Sequence, residues 1–274
     1  MNKYRVAKKI QSIFTYTFLI IVAFLSLFPF YWIIVGSTNT TVDIAQGKLS
    51  FGSELFNNLN KLTAVGNIKQ AFVNTTIITL IYCVFALFVS SLAAYGFEKF
   101  QSKWKDRIYG VLILIMMVPF AAQMIPLFQM IAKVGLINSY LAIIIPGGAS
   151  IFLIFFFRQS FKSFPTETIE SARIDGASEL TIFLRIVVPP MKSVFAAGAI
   201  WAFMNQWNNY LWPLIVLQTE TSKTLTLFIS TISSAYVIDY GQLMLAIVIA
   251  TLPVIIIFLL LQKQFVEGIT GSSK

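Results

Sequence analysis

The sequence predicts an all-α polytopic membrane protein of about six transmembrane helices, with a cytoplasmic helical hairpin between the fourth and fifth. Three observations predict it. Hydrophobic residues make up 57% of the 274-residue chain and charged residues 11%, against roughly 45–50% and ~25% in soluble domains. A chain so poor in charge cannot cover a water-facing surface. The charges it has are gathered between long charge-free stretches: Ile10 to Val42, Gln70 to Phe97, Ile108 to Ala132, Val134 to Phe157, Ser193 to Thr219 and Tyr240 to Gln262. Each exceeds the ~20 residues that carry a helix across a hydrocarbon core of ~30 Å, and none shows the short alternating pattern of a β-barrel. Third, the basic residues are distributed unevenly between alternate loops, as the positive-inside rule requires.

Spans are expected at roughly 13–35, 71–97, 108–131, 138–157, 193–213 and 241–262, within a single membrane domain covering residues 1–274. The first follows Lys3, Arg5, Lys8 and Lys9. Its apolar run is longer than a signal-peptide core, and Pro29-Phe30-Tyr31-Trp32 follows where a small-residue cleavage site would stand, so it reads as a retained helix with Tyr31 and Trp32 at the outer interface. Lys99, Lys103, Lys105 and Arg107 follow the second span. Arg158, Lys162, Arg173, Arg185 and Lys192 follow the fourth, and Lys263 and Lys274 follow the sixth. Fifteen basic residues on these segments face five on the others (Lys48, Lys61, Lys69, Lys133 and Lys223), which places both termini in the cytoplasm. The net charge of +9 is thereby accounted for without nucleic acid. Ser90, Ser91, Ala93 and Ala94 permit close helix packing in the second span. Gly147 and Gly148, after Pro146, are expected to bend the fourth. The Ser- and Thr-rich stretch Thr224 to Ile238 is too short to span and reads as a loop or surface helix.

Several chemistries are excluded. The chain has no His, and its one Cys, Cys83, lies within a span. No metal cluster, disulfide or general base is therefore in view. The nearest approach to a phosphate loop, Gly47-Lys48-Leu49, lacks the required Ser or Thr and the first Gly, so the chain does not bind ATP that way. The span centres carry no ionisable relay of the kind that coupled transporters use. A secondary transporter or facilitator for a polar solute remains the alternative to a transporter driven by a partner's energy.

The loop 162–192 holds the sharpest signal. Pro165 suits the first turn of a helix, and Glu167 and Glu170 stand near its positive end. Gly176 permits a reversal, Asp175 or Ser178 can cap a second helix, and Pro189-Pro190 ends it. Leu180, Phe183, Leu184 and Val187 recur with helical spacing. A short hairpin, partly apolar and partly charged, suits docking onto another protein.

Glu170-Ser171-Ala172, Asp175-Gly176-Ala177, Ile186 and Pro189 resemble the E-A-A-x-x-x-G-x₉-I-x-L-P signature of ABC importer permeases, with Ser171 in place of Ala and Val188 in place of Leu. Asn74-Thr75, Ala93-Ala94-Tyr95-Gly96-Phe97, Trp207-Asn208-Asn209-Tyr210-Leu211-Trp212-Pro213-Leu214 and the tail Gln264-Phe265-Val266-Glu267-Gly268-Ile269-Thr270 extend the resemblance to the carbohydrate-uptake branch. Specifically, the chain is similar to the shorter permease of maltose-type systems. The resemblance implies a non-catalytic subunit in the cell (inner) membrane, without cofactor. Its implied partners are a second permease, two copies of an ATP-binding subunit and an extracellular or periplasmic sugar-binding protein. The hairpin would be a coupling helix seated in the ATPase, with Glu170 in contact and Gly176 making the turn. The segment from Leu214 to Gln242 would reach toward the binding protein.

The fifth span holds Asn205, Gln206, Asn208 and Asn209 among Trp201, Trp207, Tyr210 and Trp212. Four amides in five residues are costly in hydrocarbon unless water or partners satisfy them. Amides donate to and accept from sugar hydroxyls, so these four are candidates for a sugar path. Hydrogen bonding between helices is the other reading. Trp207, Asn208 and Pro213 follow the family pattern, which leaves Asn205 and Gln206 as the better candidates for substrate contact.

Overall fold

The computed structural model describes the backbone of residues 2–100 and 102–270 and the side chains of 8–100 and 102–263. Lys274 and the side chains of Lys3, Arg5 and the tail motif lie outside them. The described residues form helices and no strand. Four helical stretches are long and apolar enough to cross a membrane, Lys8–Gly36, Ile68–Lys99, Leu141–Phe161 and Tyr240–Lys263; two further crossings arise if each of two bent helix pairs is counted as one. The protein is thus an all-α polytopic membrane protein. The chain divides into two compact units, Met1–Gly66 with Ile229–Thr251, and Asn67–Phe228 with Leu252–Lys274.

The smaller unit contains α1 (Asn2–Gly36), α2 (Thr41–Ala45) and α3 (Leu55–Val65). From Lys8 to Phe30, α1 is exposed on every face, as a lipid-facing helix must be. The connections are closed by buried amides. Asn39 Nδ2 donates to Val35 O and Ser50 O, both at 2.9 Å. Asn58 Nδ2 donates to Ser37 O (2.9 Å) and Asn39 O (3.1 Å). Thr40 and Asp43 form a reciprocal capping box on α2. Lys61 Nζ pairs with Asp239 at 2.7 Å, and Asp239 also accepts from Thr41 Oγ1 and from the Gln242 amide.

The larger unit contains α4 (Ile68–Lys99), α5 (Lys103–Ile115), α6 (Phe120–Lys133), α7 (Leu141–Gly148), α8 (Ile151–Phe161), α9 (Thr166–Ile174), α10 (Glu179–Ile182), α11 (Lys192–Trp207) and α12 (Leu211–Val216); α13 (Leu225–Ser233) and α14 (Tyr240–Thr270) complete the chain. The 32-residue α4 is unbroken, and α7, α8 and α11 pack along it. Ser90, Ser91 and Ala94 on α4 are fully buried, their small side chains letting neighbours approach. Phe157, Phe161 and Phe183 fill the inner core beside Tyr95.

The neighbours of α4 are interrupted. The stretch expected as one crossing at 108–131 is two helices, α5 and α6, set at 106°. Pro119, which has no N–H to continue α5, starts α6 with ψ 136°. The fourth stretch breaks at Ala149–Ser150, where the Ser150 hydroxyl accepts from Leu153 N. The fifth breaks at Asn208–Tyr210. Gly147 has a further reason beyond the bend: a Cβ there would lie 2.6 Å from the Tyr82 ring of α4. Within the Ser- and Thr-rich outer stretch, α13 buries Leu225, Leu227, Phe228 and Ile232.

Candidate functional site: a cavity at three helix breaks and an exposed hairpin

All three breaks open onto one cavity of about 1060 Å³. Met116 and Pro119 line it from the first break, Ala149 and Ser150 from the second, and Asn208, Asn209 and Tyr210 from the third. Broken helices expose backbone polar groups, which a membrane tolerates only beside protein or a water-filled space. Local side chains meet part of that need. Gln123 Nε2 donates to Val118 O (3.1 Å), Ser90 Oγ reaches Ser150 O (3.4 Å), and Asn208 Nδ2 donates to Met204 O (2.8 Å).

The structure brings Asn205, Gln206, Asn208 and Asn209 together on this cavity's wall. Asn205 is exposed to it and faces the otherwise buried Tyr82, which lines the same wall. Gln206 is nearly covered, and Asn209 receives Thr226 Oγ1 on its carbonyl. The aromatic walls are Phe120, Trp201, Tyr210 and Trp212. Trp212 is held by its indole N–H on Ala142 O (2.8 Å), and Trp201 stacks one face on Phe152 at 4.4 Å. Tyr82, Gln123 and Ser150 were missed by sequence reasoning. Gln123 alone carried a signal, as an amide in an otherwise apolar stretch.

The hairpin lies at one end of α4. Helix α9 ends in a Schellman motif: Gly176 has φ +81°, Ala177 N donates to Ala172 O (3.0 Å) and Gly176 N to Arg173 O (3.0 Å). Ser178, rather than Asp175, caps α10 through Thr181 N (3.3 Å). Residues 183–187 then widen into a π-turn, Val188 N reaching back to Phe183 O. Pro189 follows, and a wider turn relieves the clash of its ring with the carbonyl four residues earlier. The widening splits the expected apolar face. Phe183 and Val187 are buried with Ile182, whereas Leu180 and Leu184 are half exposed. At the tip Ile174 is 87% exposed. Of the signature residues, Ala172 is buried, Ala177 and Ile186 are partly buried, and Glu170, Ser171, Asp175, Gly176 and Pro189 are exposed. Among the described residues Glu170 has no hydrogen bond or ion pair. The hairpin presents an apolar tip and a free carboxylate.

A connection unseen in the sequence fastens the hairpin to α4. Arg173, before the turn, donates from Nε to Glu179 Oε1 after it (2.6 Å), and the Tyr95 hydroxyl donates to Glu179 Oε2 (3.1 Å). The Arg173 hydrogen bonds hold the Glu179 carboxyl below the usual carboxylate range, against the opposing effect of partial burial. At the other end of α4, fully buried Asn74 donates to Thr221 O (2.9 Å) and Lys223 O (2.8 Å), while Tyr140 OH and Gln70 Nε2 donate to its Oδ1. Thr75 Oγ1 accepts from Leu225 N. Asn74 and Tyr95 are twenty-one residues apart, roughly 32 Å along a helix, which matches the thickness of the hydrocarbon core. The hairpin and the segment 219–225 therefore stand at opposite ends of a membrane-length rod.

Spans, a polar cavity at broken helices and a hairpin at one end define a multi-pass membrane transport component. Residues 86–271 match the family described as binding-protein-dependent transport system inner membrane component. The chain belongs to that family and is a membrane permease subunit. It is 48% identical to the lactose transport system permease protein LacG of Rhizobium radiobacter, over 97% of this chain and 98% of the relative. It is 37% identical to the arabinooligosaccharides transport system permease protein AraQ of Bacillus subtilis (strain 168), over 92% of each. Its fold matches, at a TM-score of 0.82 and 25% identity, a chain of a crystal structure of a bacterial ABC transporter involved in the import of the acidic polysaccharide alginate, covering 94% of this chain and 98% of that one.

Proposed function

We propose that the chain forms half of the translocation path for a sugar or oligosaccharide in an ABC importer and couples to a separate ATPase. The observation that carries this reading is the convergence of five amides and three helix breaks on one cavity walled by aromatic rings. Amides match both the donors and the acceptors of sugar hydroxyls, and ring faces offer flat apolar surface. Similarity to permeases named for lactose and arabinooligosaccharides supports a sugar as cargo. Among the described residues no carboxylate, amine or imidazole lines the cavity to relay a coupling ion, which weighs against the secondary-transporter alternative.

In this reading the segment 162–192 is the coupling loop of a single permease domain. Glu170 meets a basic group in the ATPase cleft. Ser171, Ala172, Asp175, Gly176, Ala177, Ile186 and Pro189 set the hairpin's shape, and Ile174, Leu180 and Leu184 supply its apolar contact. Two ATPase subunits, a second permease and an extracellular binding protein complete the machine. The hairpin side, with both termini, is cytoplasmic, so cysteine at position 103 should label only from the cytoplasm and at position 61 only from outside.

The cavity is tested with Asn205→Leu and Gln206→Leu. Each should reduce sugar uptake by the assembled importer in vesicles, or change its sugar preference, while the subunits still co-purify. Loss of assembly with either variant would show instead that the amide joins helices.

A further inference from the structure

The polar groups on the cavity wall are all uncharged. Gln123, Asn205, Gln206, Asn208 and Asn209 contribute amides, and Tyr82, Ser150 and Tyr210 contribute hydroxyls; among the described residues no Asp, Glu, Lys or Arg lines it. From this lining we propose that the cavity admits uncharged glycans and rejects sugars that carry a carboxylate or a phosphate, a selection that rests on the cavity's being the sugar path.

The physical argument has three parts. A sugar hydroxyl both donates and accepts, and an amide presents one group of each kind, so either orientation of either partner makes a bond. A carboxylate or phosphate only accepts. Against the same wall it can use only the N–H and O–H donors and meets the amide and hydroxyl oxygens as lone pairs facing lone pairs, and no cation from this chain's described residues replaces its lost hydration. Moving an ion from water into such a site without a counter-charge costs several kcal/mol even after relaxation.

Helix ends do not supply the missing charge. Helix starts attract anions, and α6, α8 and α12 all begin at the cavity. At each break, however, the start faces the end of the helix before it: Met116 beside Pro119, Gly147 and Ala149 beside Ser150, Asn208 beside Tyr210. The opposed partial charges, being so close, partly offset one another within each break. The Ser150 hydroxyl also occupies Leu153 N, and Thr226 and Asn209 are joined at the third break. The fold itself imposes no neutrality, since a structure of the same fold belongs to a transporter of an acidic polysaccharide. This chain's share of the selection therefore lies in this lining.

The size of the space sets the scale of the cargo. About 1060 Å³ is just above the roughly 300–1,000 Å³ usual for small-molecule pockets, and it fits a glycan of more than one ring.

The experiment uses the complete importer, purified in detergent without its binding protein, so that the permease and not the delivery protein does the selecting. Saturation-transfer NMR is recorded with lactose, with lactose 6′-phosphate and with the matching disaccharide ending in galacturonate. Lactose should give signal. The two charged sugars should compete at least about 100-fold more weakly. Asn205→Lys, or Gln123→Lys where the first does not assemble, sets a cation among the amides and should make the phosphate sugar an effective competitor. Equal competition by the charged sugars in the unaltered importer, or an unchanged ranking in an assembled lysine variant, would overturn the selection and leave the sugar path standing. Absence of signal from all three sugars would remove the path itself, and the selection with it.

Discussion

Tyr95→Phe deletes one oxygen from the join between α4 and the hairpin and leaves the rest of the residue in place. The ring keeps Phe100, Phe161 and Phe183 as neighbours, at centroid distances of 6.0, 6.3 and 5.3 Å, so core packing is preserved. What is lost is the 3.1 Å hydrogen bond to Glu179. Bonds to charged acceptors contribute ~1.5–3 kcal/mol. The Glu179 side chain is 42% exposed, and water screens part of that, which puts the loss near the lower end, about 1.5 kcal/mol. A loss of that size is roughly tenfold in the population of the hairpin seated on α4. Glu179→Gln should act more mildly. It keeps an oxygen for Tyr95 and removes the ion pair with Arg173, and partly exposed pairs are worth about 0–1 kcal/mol. The assay is sugar imported per ATP hydrolysed in vesicles, with co-purification of the ATPase measured alongside. Tyr95→Phe should keep full co-purification and hydrolysis while sugar per ATP falls several-fold, toward tenfold. An unchanged ratio would refute the reasoning that this bond carries hairpin movement into α4.

Glu170→Ala removes one exposed carboxylate of the hairpin; with a charge-assisted contact worth ~1.5–3 kcal/mol, ATPase association should weaken about 10- to 150-fold, and unaltered co-purification would exclude that role. Gly176→Val adds a Cβ that meets nothing within 4 Å, yet φ +81° is left-handed, so its cost is backbone strain of roughly 1–2 kcal/mol or more; membrane insertion should be normal and ATPase binding impaired. In the smaller unit, burial pushes the Asp239 carboxyl up, and the bonds from Lys61, the Gln242 amide and Thr41 together bring it below its ordinary 3.8. A lowered carboxylate stabilises the folded state above its unfolded pKa, and that contribution is lost as pH falls through the folded one. Asp239→Asn should therefore lower the melting temperature in detergent at pH 7, and the gap from the unaltered protein should close in acid below the ordinary carboxylate range.

The hairpin was legible because its cues are local. A left-handed Gly176, a capping Ser178 and a terminating Pro189 act through their own backbone. The spans were legible for a similar reason, since uninterrupted apolar length is a property of the chain alone. The breaks were less so. Pro119 marks the first one, and Pro146, Gly147 and Gly148, from which a bend was expected, stand directly before the second, but Asn208–Tyr210 carries no residue that forbids helix. Tyr82 gave no sign of its place, because it depends on Gly147 of another helix leaving room for its ring. Glu179 escaped for the same reason. Read locally it is a first-turn acid of α10, and only the folding of α4 beside the hairpin gives it Tyr95. The apolar spacing of Leu180, Phe183, Leu184 and Val187 misled in detail, because the π-turn before Pro189 changes the period that the pattern assumes.

The contrast between α4 and its neighbours separates selection from coupling. Interrupted helices bring backbone and amides to a cavity, but each interruption is a place where a displacement can be absorbed. An unbroken helix has none, because its hydrogen-bonded turns move together. Tyr95 at the hairpin, Tyr82 at the cavity and Asn74 at the segment 219–225 all belong to that one helix. Tyr82 is thirteen residues from Tyr95, roughly 20 Å along the axis, and it is the α4 residue that meets Asn205. A shift of the hairpin that carries Tyr95 therefore carries the partner of Asn205 as well, without passing through a break. Tyr95→Phe should lower sugar moved per ATP and leave sugar preference intact, whereas Asn205→Leu should alter preference with hydrolysis preserved. In the double variant the two effects should be non-additive, because Tyr95 and the Tyr82 that meets Asn205 lie on one path along the same stiff helix. Simple additivity would mean that the hairpin reaches the cavity by another route, through the broken helices themselves.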